Sequence, residues 1–249
     1  TCVCNTLPIC IWRYRPTGTL CSRVQLSLRP TICSLRGTFP LCLTGTKLTP
    51  FGTGARSIFV KPGLFQVTTT ITQIKLGQRS LELFVRPNVA YANNVCVQVE
   101  DVSLVLTTLW SKIVQKKTEI EEKVVDYRQI YFDGKLISTK IVNRLHSESR
   151  AFLDRTLQIC NPNKTVVVSH YVPVPQATPA RYIDSPVREA FIADCSDLIE
   201  AYQPAFWIHG HSHVSGDVQY GRTRIVSNQL GTVRPGKELN FNPKAVIEV

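Results

Sequence analysis

The pattern of apolar and polar residues becomes regular from about residue 83 onward. The segments "VCVQVE" (95–100) and "SLVLTTLW" (103–110) predict two strands joined by a tight turn at Asp101. The segment "KTVVVSH" (164–170) is short and continuously apolar, which is typical of a strand in the middle of a covered sheet. Three further strands are predicted at "AFWIHG" (205–210), "TRIVSN" (223–228) and "AVIEV" (245–249).

Helical periodicity separates these predicted strands. Apolar residues recur at helical spacing over residues 141–159 and predict an amphipathic helix. A segment rich in Lys and Glu, 111–126, predicts a loop or a surface helix. Residues 185–202 predict another helix, with Ser185 as its cap and Pro186 at its first position. Strands that alternate with helices predict an α/β fold.

Residues 1–82 show neither a strand period nor a helical period, which predicts irregular structure. Their composition differs as well, since residues 1–81 hold ten Lys and Arg but no Asp or Glu. The rest of the chain holds the other 19 basic residues and all 18 acidic ones, so almost all of the net charge of +11 lies in the first third. Six of the nine Cys also lie within the first 42 residues. The two parts of the chain therefore differ in kind.

Several classes of protein are disfavoured by the sequence. No apolar run reaches the length of about 18 residues that a membrane helix needs, and "LPICIW" is too short for the apolar region of a signal peptide. Cys2 and Cys4 lack the spacing of a zinc knuckle, and a disulfide framework is not expected without a secretion signal. These features predict a soluble, cytoplasmic protein without a membrane partner.

Four of the five histidines follow predicted strands. His170 ends the strand "VVVSH", and His209, His211 and His213 follow the strand "FWI" at alternate positions. Because ligand groups collect at the carboxyl ends of strands in α/β proteins, we expect His170, His211 and His213 to meet at one place. Neutral imidazoles there would suit zinc, iron, manganese or nickel. The lone His146, within "NRLHSES", is predicted to be a solvated structural residue.

The segments "TLWSKI", "VVVSH", "FWIHGHSH" and "TRIVSNQLG" together resemble the C-terminal half of the calcineurin-like metallophosphoesterases. The resemblance covers residues 83–249, and its most specific element is Gly-His-Ser-His at residues 210–213. It implies a double β-sandwich flanked by helices (α-β-β-α). It also implies two divalent metal ions bridged by water or hydroxide, and hydrolysis of a phosphate mono- or diester.

The resemblance also implies roles for single residues. His170 and His211 would bind one metal ion, and His213 would bind the other. Four further residues are possible substrate contacts or supporting neighbours of this site: His209, Tyr171, Asn228 and Arg181. Tyr171 departs from the family pattern, because the family often has a second histidine at this position.

A larger departure lies upstream, where the family carries Asp-x-His, then Gly-Asp, then Gly-Asn-His-Asp or Glu. Residues 1–82 contain no His and no Asp, so no catalytic residue is intact and only three of seven metal ligands are present. If the segment is translated out of frame, "PICIW" allows Asp-Leu-His-Leu-Glu, "LRGTF" allows Ala-Gly-Asp-Ile, and "LFQVTTT" allows Val-Pro-Gly-Asn-His-Asp. All three motifs then appear in order from one frame. We therefore interpret residues 1–82 as a frame-shifted counterpart of the N-terminal half of the domain and predict an inactive, poorly soluble product.

Two other functions would account for parts of the sequence. A histidine-triad nucleotide hydrolase would explain the alternating histidines, but that family needs apolar residues where Gly210 and Ser212 stand. A non-catalytic binding module could use the basic N-terminal part to bind nucleic acid. That part has few aromatic residues and no period on which to display its charges, so nucleic acid is not the expected partner. The expected partner is a small phosphate ester. The sequence does not specify which ester, which metal ion or which oligomeric state.

Overall fold

The computed structural model describes residues 92–229, 241, 242 and 244–249, together with the backbone of residue 91 and of several strands before it. In chain order, the strands are β1 (Cys10–Trp12), β2 (Gln25–Leu28), β3 (Phe59–Val60), β4 (Leu81–Arg86), β5 (Val89–Asn93), β6 (Val95–Val99), β7 (Val102–Leu106), β8 (Tyr131–Phe132), β9 (Lys135–Leu136), β10 (Thr165–Val168), β11 (Phe206–Ile208), β12 (Gly216–Tyr220), β13 (Thr223–Ser227) and β14 (Val246–Glu248). The helices are α1 (Lys117–Lys123), α2 (Asp126–Gln129), α3 (Thr139–Leu157), α4 (Ala180–Ile183) and α5 (Ser196–Tyr202), with 3-10 turns at Pro162–Lys164, Pro175–Ala177 and Arg188–Ala190.

A six-stranded sheet organises these elements, in the order β12-β13-β11-β10-β7-β6. The four inner strands are parallel, and β12 and β6 run antiparallel at the two edges. A second sheet has the order β14-β2-β1-β3, and two hairpins pair β4 with β5 and β8 with β9. The chain is thus a mixed α/β protein, as the sequence predicts.

Both faces of the inner strands are covered, because β10 is buried at every position and β7 likewise. Alternate residues divide between two clusters. On one face Val105, Val167 and Trp207 pack with the helices, and on the other Leu104, Val166 and their neighbours pack with residues that include Ile247 of β14. Burial on two faces explains why "TVVV" has no polar alternation.

Helix α3 follows the predicted amphipathic segment closely. Ser138 caps it by accepting a hydrogen bond from the main-chain nitrogen of Ile141. Its buried positions recur every three or four residues: Val142, Leu145, His146, Ser149, Leu153 and Leu157. The predicted strand pair, with its turn next to Asp101, is confirmed by β6 and β7, and the predicted surface segment contains α1.

The helix predicted over residues 185–202 is wrong in its first half. A 3-10 turn covers Arg188–Ala190, and α5 begins only at Ser196. Between them, Ile192 forms a parallel bridge with Val172, and the main-chain nitrogen of Ala193 donates to the Val172 carbonyl oxygen. Pairing with the chain after β10 therefore overrides the helical periodicity. Ser185 still caps locally, since its hydroxyl oxygen accepts from the nitrogen of Val187.

The expectation of irregular structure in residues 1–82 is wrong where β1, β2 and β3 form strands and at the end, where β4 begins at Leu81. The first three are short. Each is four residues or shorter, and "QLSL" alternates over too few residues to give a sustained period. The rest of that segment, and with it the frame-shift interpretation, lies outside the described residues. In the part of the chain that is described, no helix is long and apolar enough to cross a membrane.

Candidate metal-binding site

Loops at the carboxyl ends of the parallel strands bring the predicted histidines to one edge of the sheet. His170 lies two residues beyond β10, and His211 lies three residues beyond the adjacent strand β11. The loops are tied together, because the main-chain nitrogen of Gly210 donates to the carbonyl oxygen of His170. Neighbouring strand ends therefore present the imidazoles of His170 and His211 together, while the part of the expectation that includes the His213 ring stays a prediction.

The rings of His170 and His211 face each other directly. His211 Nδ1 lies 2.9 Å from His170 Nε2, and the ring centroids are 4.7 Å apart. Both residues are buried, with 2% and 9% of their surface exposed. Since one nitrogen of this pair must donate and the other accept, the contact couples the tautomer of one ring to that of the other.

The loop that holds His211 and His213 has an uncommon backbone. His211 has a φ of 63° and His213 a φ of 55°, both in the left-handed region that residues other than glycine seldom adopt. Gln229 holds this loop, since its Oε1 accepts from the nitrogen of His213 at 2.8 Å and its Nε2 donates to Ser212 Oγ at 3.0 Å. Strained residues held by buried hydrogen bonds are characteristic of functional sites.

Aromatic rings cover the histidine pair. Tyr171 lies 4.3 Å from the His211 ring and Phe191 lies 4.9 Å from it, measured between centroids. Arg181 reaches the same loop, where its Nη2 donates to the carbonyl oxygen of Ser212 at 2.6 Å. The sequence singled out Tyr171 and Arg181, but it gave no sign of Phe191, which lies in the segment wrongly predicted as helix.

Two of the predicted supporting residues have other contacts. His209 is buried at the end of β11, and its Nδ1 lies 3.3 Å from the carbonyl oxygen of Gly210. The Asn228 side chain pairs with the main chain of Asn242, donating to its oxygen at 2.8 Å and accepting from its nitrogen at 3.0 Å. Asn228 therefore fastens the C-terminal segment to the end of β13.

Burial sets the charge of the histidines in the cluster. Loss of solvation, together with the nearby His213, lowers the pKa of His211 to about 3. Burial also lowers the pKa of His209 to about 4. Both rings are therefore neutral at pH 7, which is the form that binds a metal ion. Burial raises the pKa of Tyr171 well above its usual value, so its hydroxyl keeps its proton.

His146 corrects one expectation, because it is buried rather than solvated, with 4% of its surface exposed. Its Nδ1 donates to the main-chain oxygen of Trp110, and burial lowers its pKa to about 4. This residue ties α3 to the segment after β7. Its predicted structural role therefore fits, although its predicted exposure does not.

The donor set fits only a part of a metal centre. Two nitrogen ligands at about 2.0–2.1 Å from a tetrahedral ion lie roughly 3.4 Å apart, so the nitrogens of His170 and His211 need to separate by about half an ångström. Among the residues that the structure describes, however, no group of three or more His, Cys, Asp and Glu is arranged to hold a metal ion. Two imidazoles converge, and the carboxylates of a dinuclear centre are not found beside them in this part of the chain.

Two cavities are not lined by the facing imidazoles, although the smaller one shares Tyr171 with the histidine cluster. A cleft of about 740 Å³ is lined by residues of α3 and of the 193–200 segment, among them His146 and Arg150. A cavity of about 10 Å³ lies between Trp110, Tyr171 and the buried carboxyl group of Asp126, whose pKa burial raises to about 7. Its volume suits one water molecule at most. The sequence gave no signal for Asp126, because it stands in a segment rich in charged residues.

Comparison with known proteins adds relatives without establishing a family. No family model matches the chain. It is 31% identical over 178 residues to uncharacterized protein L509 of Acanthamoeba polyphaga mimivirus, an alignment that covers 66% of this chain and 61% of that protein. The chain thus spans less than two thirds of the length of this curated relative.

Similarity to solved structures is low. The phosphopantetheinyl hydrolase PptH from Mycobacterium tuberculosis superposes with a TM-score of 0.39 at 15% identity, over 56% of this chain and 55% of that one. A second crystal structure gives a TM-score of 0.32 at 13% identity, over 56% of this chain and 46% of that one. At these scores neither structure carries an argument about fold or function.

Proposed function

We propose that residues 83–249 are the C-terminal part of a metal-dependent hydrolase domain that acts on phosphate mono- or diesters. The observation that carries this proposal is the 2.9 Å approach of His211 Nδ1 to His170 Nε2. Two buried imidazoles that converge from adjacent strand ends form half of a tetrahedral ligand set for a divalent ion. The reaction class comes from the motif resemblance. We also propose, on the same resemblance, that the two sheets pack as a double β-sandwich.

Each side chain of the cluster has a role in this proposal. His170 and His211 bind one metal ion, and His213 binds the second. Tyr171 covers the His211 ring and keeps water from it, which strengthens electrostatic interactions at the site. Arg181, exposed beside the histidine loop, attracts the phosphate group. When bound, manganese, iron, zinc or nickel would lower the pKa of a coordinated water and hold phosphate oxygens.

The chain as written lacks the rest of the site. Residues 1–82 contain no Asp, Glu at 82 is the first carboxylate, and no His precedes His146. Neutral imidazoles alone do not balance the charge of a dication, so this chain binds at most one metal ion, weakly, and does not hydrolyse phosphate esters. A restored reading frame over residues 1–82 supplies the missing carboxylates and the histidine that protonates the leaving group.

The test compares the chain as written with the frame-restored protein. Metal content by mass spectrometry and hydrolysis of bis-p-nitrophenyl phosphate, measured with manganese, iron, zinc or nickel, should both appear only after restoration. His211→Ala should abolish both in the restored protein, while His146→Gln, a buried histidine outside the cluster, should keep both. Two bound metal ions and full hydrolysis in the chain as written, or in His211→Ala, would contradict the proposal.

Binding of nucleic acid by the basic segment is the alternative. That segment lies mostly outside the described residues, and no observation on the described ones favours it. Strongly salt-dependent binding of nucleic acid that disappears when residues 1–82 are deleted would support this alternative.

A further inference from the structure

A single carboxylate binds three successive main-chain nitrogens in the loop before α1. Glu189 Oε2 accepts hydrogen bonds from the nitrogens of Val114, Gln115 and Lys116 at 3.1, 3.0 and 3.3 Å. Its Oε1 also accepts from the nitrogen of Gln115, at 3.3 Å. Consecutive N–H groups that converge form a concave site for an anion, and here a side chain of the same chain fills it. The carboxylate therefore fastens residue 189 to a loop more than 70 residues earlier in the chain.

The segment that carries Glu189 also carries a cover of the histidine pair. Glu189 lies in the 3-10 turn Arg188–Ala190, and Phe191 follows that turn directly. The Phe191 ring lies 4.9 Å from the ring of His211, between centroids. On the ring of Tyr182 it stacks at 4.4 Å with an angle of 19°. Because only one residue separates Glu189 from Phe191, the place of the carboxylate constrains the place of the aromatic ring.

Main-chain hydrogen bonds hold the chain from Phe191 onward. The nitrogen of Val172 donates to the Phe191 oxygen at 3.2 Å, and the nitrogen of Lys112 donates to the Ile192 oxygen at 3.3 Å. The main-chain nitrogens of residues 188, 190 and 191, in contrast, donate to oxygens three residues earlier and close local turns. Glu189 thus ties these turns to a distant part of the fold.

The charge of the carboxylate strengthens this tie. Hydrogen bonds to an ionised acceptor are stronger than those between neutral groups. Glu189 is half-buried and Val114 is exposed, so water competes for the carboxylate in part. The expected effect is therefore local: loss of the tie should free the turn without unfolding the sheet.

We propose that Glu189 is a positioning residue that holds Phe191 on the ring of His211 and thereby shields the histidine pair. His170 and His211 are both buried beneath this cover. When the carboxylate leaves the main-chain nitrogens, the turn with Phe191 moves as a local unit, and water or a reagent reaches the His211 ring. The consequence for hydrolysis rests on the proposed function, since it requires that His211 binds a metal ion.

The test measures how fast diethyl pyrocarbonate modifies each histidine of the full chain at pH 7, by tandem mass spectrometry of tryptic peptides. Glu189→Ala should raise the rate at His211 roughly tenfold, because hydrogen bonds to a charged group are lost and local opening becomes easier. Glu189→Gln, whose amide oxygen still accepts from the main chain, should keep most of the protection. The rate at His146, a buried histidine outside the cluster, is the internal reference and should not change.

Three further variants sharpen the measurement. Glu200→Ala is the matched control, since it removes a carboxylate of α5 that accepts from the Tyr220 hydroxyl at 2.6 Å, and it should leave the rate at His211 unchanged. Phe191→Ala removes the ring itself and should raise that rate at least as much as Glu189→Ala. Glu189→Asp keeps the charge on a side chain one methylene shorter, and it should raise the rate even if Glu189→Ala does not fold.

An unchanged rate at His211 in Glu189→Ala or Glu189→Asp would overturn the inference. An equal rise at His146 and His211 would do so as well, because it would show a general loosening of the fold. Equal rates in Glu189→Ala and Glu189→Gln would show that the hydrogen bonds of the carboxylate do not position Phe191. Because the readout is modification of an imidazole, absence of metal binding or hydrolysis would count against the proposed function and not against this inference.

Discussion

Loops connect to the parallel strands β7, β10, β11 and β13 at both their carboxyl ends and their amino ends. The side chains at the two ends differ. At the carboxyl ends the loops bury polar side chains, with His170, Ser212 and Gln229 less than a tenth exposed. At the amino ends charged side chains reach solvent, as in the ion pair between Lys164 Nζ and Asp101 Oδ2 at 3.1 Å.

Left-handed backbone occurs at both ends and separates them further. Glu100 and Gln203 have φ values of 55° and 48° at the amino ends, where Glu100 is exposed. His211 and His213 adopt the same conformation at the carboxyl ends, with rings in or beside the buried cluster. A left-handed φ alone therefore does not mark the candidate site, because it also occurs at an exposed turn residue such as Glu100.

The largest expected effect comes from replacing a strained residue by glycine at each end of the frame-restored protein. His213→Gly relaxes the backbone but removes a proposed ligand, and we expect metal affinity to fall by more than about 100-fold, since even residues that only support ligands cost 10–100-fold. Glu100→Gly should leave metal content unchanged. Isothermal titration with Mn²⁺ measures both. Equal affinity in the two variants would erase the difference between the ends.

The next effect is a pH dependence at the carboxyl ends. Burial raises the pKa of Asp126 from 3.8 to about 7, so the folded state favours the protonated acid. The stability from this residue is complete below pH 3.8 and is lost as pH rises through 7. Relative to Asp126→Asn, the free energy of unfolding should fall by up to about 4 kcal/mol between pH 4 and pH 8.

Urea unfolding at several pH values measures the difference in free energy of unfolding between wild type and Asp126→Asn. The buried histidines contribute equally to both proteins, so their opposite pH dependence cancels in this difference. Their pKa values, lowered to about 3 for His211 and about 4 for His146 and His209, make stability rise with pH between about 3 and 6.5 in both proteins. A constant difference between wild type and Asp126→Asn would show that the carboxyl group is solvated.

A smaller effect should follow from removing a buried amide. Gln229→Ala takes away the partners of the His213 nitrogen and of Ser212 Oγ, and we expect a loss of about 2–3 kcal/mol in the free energy of unfolding. Gln203→Ala at the amino ends removes an exposed hydrogen bond to the nitrogen of Arg222 and should cost less than about 1 kcal/mol. Equal losses in urea unfolding would contradict the contrast between buried and exposed ends.

The smallest effect is a gain. Glu100→Gly removes a left-handed strain of about 1 kcal/mol and adds roughly 0.5 kcal/mol of chain entropy to the unfolded state, so the net stabilisation should be about 0.5 kcal/mol. Thermal unfolding detects it as a slightly higher midpoint. A decrease would mean that the Glu100 side chain makes a contact of its own at this turn.

Periodicity and strand-end position were sufficient to predict β6, β7, β10, α3 and the meeting of His170 with His211, because these depend on local sequence and on the direction of parallel strands. The bridge between Val172 and Ile192 depends on a tertiary pairing that a helical period conceals. Gln229 and Phe191 join the site through contacts across loops, which no local pattern encodes. The burial of His146 was missed for a related reason, since its partner Trp110 is distant in sequence.

The core of the sheet also provides a reporter for the site. The indole nitrogen of Trp207 donates to Ser169 Oγ at 2.9 Å, and Ser169 is the residue before His170. Trp110 lies 6.0 Å from the ring of Tyr171, between centroids. Because paramagnetic Mn²⁺ quenches nearby indole emission and diamagnetic Zn²⁺ does not do so by that route, fluorescence titration would test the proposed binding of metal at the histidine pair without a label or a substrate.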